Sequence, residues 1–113
     1  MATDARLATH VWVGAWLTRA RLMGLPVYVA AHGHDEAGAV IVKCATLDGR
    51  ARAWARSWDL MTGARAWVVF AEGEEREVDA AMARERARDP DLWLLEIEDR
   101  QGRSLLDEPG LSD

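Results

Sequence analysis

The chain has 113 residues, a formal net charge of −5 and a single cysteine. That length suits one domain, and the acidic balance works against nucleic acid or an anionic membrane as a partner unless basic residues cluster locally. The lone Cys44 excludes an intrachain disulfide and a four-thiolate zinc site.

Taken in chain order, the opening residues Met1 to Arg6 show no basic-then-apolar leader pattern, and no apolar run reaches the length of a membrane span. The expectation is a soluble cytoplasmic protein with no membrane partner. Thr9 is placed to cap a helix from about His10 to Met23, with Trp12, Val13, Trp16, Leu17, Ala20 and Met23 along one broad face. Gly24 ends it and Pro26 prevents a restart. Val27 to His34 reads as a strand, residues 35–38 as a turn, and Ala39 to Leu47 as a second, nearly all-apolar strand. Asp48-Gly49 is a favoured two-residue hairpin turn, and Arg50 to Trp58 alternates strictly as a third strand. A loop follows to Arg65, then a fourth strand from Ala66 to Ala71. Glu72 to Arg88 reads as a helix with acids at its start, arginines at its end and a narrow apolar stripe of Val78, Ala81 and Met82. Pro90 stops it. Leu92 to Glu98 is the last strand, with Trp93, Leu95 and Ile97 toward the core and only its first half covered on both sides. The tail from Leu105, containing Pro109 and Gly110, reads as loose.

A two-residue turn at Asp48-Gly49 sets Leu47 opposite Arg50, Ala45 opposite Arg52, Lys43 opposite Trp54 and Ile41 opposite Arg56. The preceding turn sets His34 opposite Ala39 and His32 opposite Ile41. One sheet face then collects Val27, Val29, Val40, Val42, Cys44 and the alanines 51, 53 and 55, small enough for helices to press on. The other collects Tyr28, His32, Lys43, Arg52, Trp54, Arg56 and Trp58. Interleaved Arg and Trp side chains suit a protein interface, a stack of bases, or an acidic peptide. The plain alternative is a solvated face whose Lys and Arg stems cover the tryptophans.

Other constellations carry less. His32 and His34 share one side of a strand, but no third metal ligand is evident; a solvated pair is the simpler reading, and no metal or cofactor is assigned. Cys44 falls on the core face as a buried, inert thiol. Glu96 and Glu98 fit a strand emerging into solvent, and Asp89 and Asp91 fit turn positions around Pro90. The element order matches the core of restriction-endonuclease-like nucleases, yet Ile41-Val42-Lys43 has the lysine without the acid two positions earlier.

Three stretches resemble a known family: Trp12-Val13-Gly14-Ala15-Trp16-Leu17, the strand pair from Ala37 to Gly49, and Asp89-Pro90-Asp91-Leu92-Trp93 with Glu96 to Arg100. They look like the alphaproteobacterial family catalogued as domain of unknown function 1491, from about Leu7 to Asp107. The resemblance implies a bacterial cytoplasmic protein and brings no assigned activity or catalytic residues.

The sequence thus predicts a single α+β domain over residues 1–113, with its core at about 7–107 and a flexible tail at 105–113. About five mainly antiparallel strands carry two helices on one face, in the order α-β-β-β-β-α-β. The predicted function is non-catalytic interaction through the basic-aromatic face, with a homodimer as one form of it. The alternatives are a nucleic-acid or nucleotide binder on the same face, disfavoured by the net charge, and a metal-dependent hydrolase using His32 and His34.

Overall fold

Two uninterrupted apolar runs, one around Val40–Val42 and one at Leu92–Leu95, occupy the middle of the sheet, where both faces of a strand are covered. The structure, a computed structural model, describes residues 7–112; Met1 to Arg6, read above for a leader, lie outside them. Helix α1 (Thr9–Leu22) is followed by β1 (Val27–Ala31), β2 (Val40–Ala45), β3 (Arg50–Trp58), β4 (Arg65–Glu74), α2 (Glu75–Arg88) and β5 (Trp93–Glu98). This is the predicted α+β order. The strands lie in the order β1-β5-β2-β3-β4, all neighbours antiparallel except β2 and β5.

The last strand is inserted between β1 and β2, so β1 and β2 are not a hairpin and the expected His34–Ala39 and His32–Ile41 pairs do not form. Val27 lies opposite Ile97 and Val40 opposite Trp93 instead. Burial explains the insertion. β5 places Trp93, Leu95 and Ile97 on one face and Leu94, with Leu92 just before the strand, on the other, and all five are buried. An edge position would leave such a strand half wet.

The helices cover opposite faces of the sheet, not one. Trp12, Val13, Trp16 and Ala20 of α1 pack on Val40, Val42, Cys44, Leu95 and Ile97. Val78 and Met82 of α2 pack on Ile41, Ala51, Ala53, Leu92 and Leu94. Alternation on β2 sends successive apolar residues to opposite sides, so both sides need a cover, and all six residues of β2 are buried.

Thr9 does not cap α1 by its own side chain. Its hydroxyl donates to the Gly38 carbonyl at 2.8 Å, while the N–H groups of Thr9 and His10 donate to the carbonyls of Glu36 and Asp35 at 3.1 and 2.8 Å. The β1–β2 loop therefore satisfies the orphan donors of the helix start. The predicted start of α2 shifts to Glu75, because Glu72 to Glu74 extend β4 opposite Arg52, Ala51 and Arg50. The tail is packed, not loose. Leu105, Leu106 and Leu111 join the α1 core, the Trp16 indole donates to the Ser104 carbonyl at 3.0 Å, and those of Trp12 and Trp67 donate to the Leu111 carbonyl at 3.2 and 3.3 Å. Buried indole N–H groups need acceptors, and the returning chain supplies them.

Candidate interaction surface

The turn between β2 and β3 holds three residues. Thr46 N–H bonds to the Arg50 carbonyl at 3.1 Å, and Leu47 and Gly49 both take positive φ. Asp48 organises the turn by accepting from the Thr46 hydroxyl and the Arg50 N–H. The register moves by one residue as a result: Lys43 lies opposite Ala53, Cys44 opposite Arg52 and Val42 opposite Trp54. A one-residue slip moves a strand's side chains to the other face relative to its neighbour. The expected basic-aromatic face is therefore divided.

Lys43 joins Ala51 and Ala53 under α2, where it is 2% exposed. Its ammonium lies 2.7 Å from Glu75, 2.6 Å from Asp79 and 3.6 Å from Glu96. Burial by itself would lower the pKa of the ammonium, but the hydrogen bonds to Asp79 and Glu75 outweigh it and raise the value. Lys43 is thus structural, with no lone cation left for a phosphate, and the expected Lys43–Trp54 contact is absent. Tyr28 is exposed on edge strand β1, opposite Glu96. His32 lies past the end of β1, 2.8 Å from Asp35 and against the Trp93 ring at 4.0 Å between centroids. His34 accepts from the N–H groups of Glu36 and Ala37, so it shapes the turn. Among the described residues no group of three His, Cys, Asp or Glu side chains converges as a metal site.

The four remaining members of the set, Arg52, Trp54, Arg56 and Trp58, stay together on the α1 side of β3. The facing strand adds Arg65 and Trp67, which lie opposite Trp58 and Arg56. The result is a ladder of guanidinium–indole contacts. Arg52 lies 6.0 Å from the Trp54 ring centroid, and Arg56 lies 5.5 and 4.7 Å from those of Trp12 and Trp67. Arg65 lies 5.5 Å from the Trp58 centroid. Arg52 also pairs with Glu72 at 2.8 Å, which offsets its charge. The inner end of the ladder belongs to the core, because Trp54 and Trp67 pack against the α1 cluster.

Its outer end projects. Pairing between β2 and β3 extends only to Ile41 opposite Ala55, whereas β3 and β4 continue together to Trp58 opposite Arg65. A cleft lined by Gly38, Val40, Arg56, Trp58 and Glu85 opens beside this free stretch. At the tip Leu60 and Met61 are 97% and 92% exposed, and Trp58, Val68 and Val69 are each nearly half exposed. Alternation within β3 marks Trp58 in the sequence, but nothing in the loop pattern distinguished Leu60 and Met61 from ordinary turn residues.

The family model for a protein of unknown function, DUF1491, matches residues 7–107. The crystal structure of a DUF1491 family protein from Caulobacter crescentus superposes with a TM-score of 0.80 at 39% identity, covering 91% of this chain and 95% of that one. An NMR structure of a DUF1491 family protein from the same organism gives 0.80 at 40% identity, covering 91% and 94%. The solution structure of protein Atu0922 from A. tumefaciens gives 0.69 at 30% identity, covering 82% and 86%. No curated protein matches the chain. Among the described residues no helix is long and apolar enough to cross a membrane. On the extent of these matches, the chain belongs to the DUF1491 family.

Proposed function

We propose that this is a non-catalytic interaction protein whose contact surface is the projecting β3–β4 hairpin. One observation carries the reading: Trp58, Leu60, Met61, Val68 and Val69 are all exposed on a single hairpin that extends past its β2 neighbour. Scattered apolar side chains on a surface are ordinary, but a cluster on one projecting element is characteristic of a contact site. Arg56 and Arg65, stacked on indoles beside it, add the residue types enriched in interface centres.

The test is a photo-crosslinking residue placed at Leu60, with Arg84 on the exposed side of α2 as the control. Irradiation of expressing cells is expected to give a discrete adduct from position 60 and none from position 84. Equal labelling at both, or at neither, would remove the proposal.

A further inference from the structure

We infer that the partner of this hairpin is a second copy of the chain, joined by antiparallel pairing of the two β4 strands about a two-fold axis. The inference rests on the hairpin reading above and deepens it. Two five-stranded sheets would then run on as one.

The sheet has two edges of unequal character. β1 has five residues, follows Pro26 and is irregular between Val29 and Ala31. Both edge strands carry an irregularity, but the short length and preceding proline of β1 further discourage strand addition. β4 has ten residues and no proline, and exposes Val68 and Val69. Its hairpin closes with the Asp59 N–H on the Ala64 carbonyl at 2.8 Å. Antiparallel alternation from that pair turns the backbone groups of Ala66 and Val68 toward β3, and those of Arg65, Trp67 and Val69 outward. Outward N–H and C=O groups of this kind form a template for another strand.

The side chains of β4 are complementary to themselves in reverse. Arg65 stands at one end and Glu72 at the other, both on the face of Trp67 and Val69. The register shift between Ala53 and Trp54 sets Phe70 and Ala71 at a bulge, where the two occupy one ladder position. In a two-fold pairing Arg65 of each copy then falls opposite Glu72 of the other, whose carboxylate, already 2.8 Å from Arg52 of its own chain, would be shared between the two guanidiniums, giving the intermolecular ion pair twice. Trp67 falls opposite Val69, an aromatic–β-branched cross-strand pair, and Val68 meets its own equivalent. A bulge blunts an edge against indiscriminate pairing. In this pairing the bulge of each copy falls opposite the single residue Ala66 of the other, as it falls opposite Ala53 of β3 within one chain.

Sedimentation of the full chain tests this, with Arg65→Glu, Glu72→Arg and the double variant. The wild type is expected to be a dimer. Each single variant sets like charges opposite each other twice and should weaken the dimer about tenfold or more. Mixing the two single variants, or combining both changes in one chain, restores opposite charges and should restore the dimer. Circular dichroism confirms that each variant is folded. A wild type that remains monomeric at high concentration overturns the inference without reference to any variant. So does a dimer indifferent to both single changes, or one that neither mixing nor the double variant recovers. A monomer that still forms an adduct of another mass at position 60 would remove the second copy and leave the hairpin reading standing.

Discussion

Lys43 and Asp79 meet at 2.6 Å between strand β2 and helix α2, with Glu75 2.7 Å from the same ammonium. The contact holds the second helix by charge where its apolar stripe is narrow, since only Val78 and Met82 of α2 are buried. It also takes the most conspicuous cation of the central strands out of the surface.

Lys43→Ala should therefore behave as a stability change. Removing one partner of a buried ionic cluster costs about 3–5 kcal/mol in general. The carboxylates here reach water, so a loss of about 2–3 kcal/mol is expected from denaturant midpoints, with Lys43→Met losing less because it keeps the packing. The raised pKa of Lys43 gives a sign. Its contribution is complete below the ordinary lysine range and is lost as pH rises through the higher folded value. Alkaline unfolding of the wild type should show this loss, and Lys43→Met should not.

Asp99 predicts the opposite pH behaviour. Arg103 donates to its carboxylate from both side chain and backbone at 2.8 Å, and holds its pKa down to about 2. A depressed carboxylate contributes fully above its ordinary pKa, and the contribution is lost as pH falls through the folded one. Acid titration should show stability falling between about pH 4 and pH 2. Asp99→Asn should flatten that fall at a cost of about 1.5–3 kcal/mol at neutral pH, typical of hydrogen bonds to charged groups.

Leu111 is 1% exposed, although only Ser112 and Asp113 follow it in the sequence. Leu111→Ala should cost about 2–4 kcal/mol in thermal or denaturant unfolding, because a cavity opens beneath the tail. Removing residues 105–113 should be worse. It uncovers the α1 core and leaves the Trp12 and Trp67 indoles without the Leu111 carbonyl, which intrinsic fluorescence would report as a red shift.

Gly33 and Gly14 separate two roles of glycine. A Cβ on Gly33 would lie 2.2 Å from the Asp91 carbonyl oxygen and 2.8 Å from the Leu92 carbonyl carbon, so the β1–β2 loop rests directly on the Asp89–Trp93 junction. Gly33→Ala should lose at least the ~1–3 kcal/mol of overpacking. A Cβ on Gly14 meets nothing, and Gly14→Ala within α1 should add about 0.5–1 kcal/mol from helix propensity. Paired thermal melts measure both.

Cys44 should resist thiol reagents in the native protein. It is 1% exposed, and burial, with the nearby Asp99 charge, pushes its pKa up to about 11. Labelling with a chromogenic disulfide is expected to follow denaturation, at a rate set by unfolding.

What the residue order determined by itself was local. Amphipathic spacing placed both helices, alternation placed β3, and Pro90 set the junction into the last strand. Its uninterrupted apolar runs also carried a signal for central, doubly covered strands in β2 and β5. Tertiary structure decided the rest. Whether Asp48-Gly49 turns in two residues or three depends on Leu47 adopting positive φ, a local strain of about 1–3 kcal/mol that the packing must offset, and a choice that reverses the face of every facing residue. That choice sent Lys43 beneath α2 and left Arg52, Trp54, Arg56 and Trp58 on the α1 side. The tail illustrates the same limit. Its leucines sit among Pro, Gly and acidic residues that read as loose chain, and only the indoles of Trp12, Trp16 and Trp67, distant in sequence, give them a place to pack. Burial is a property of the assembled layers, so a pattern one turn long cannot specify it.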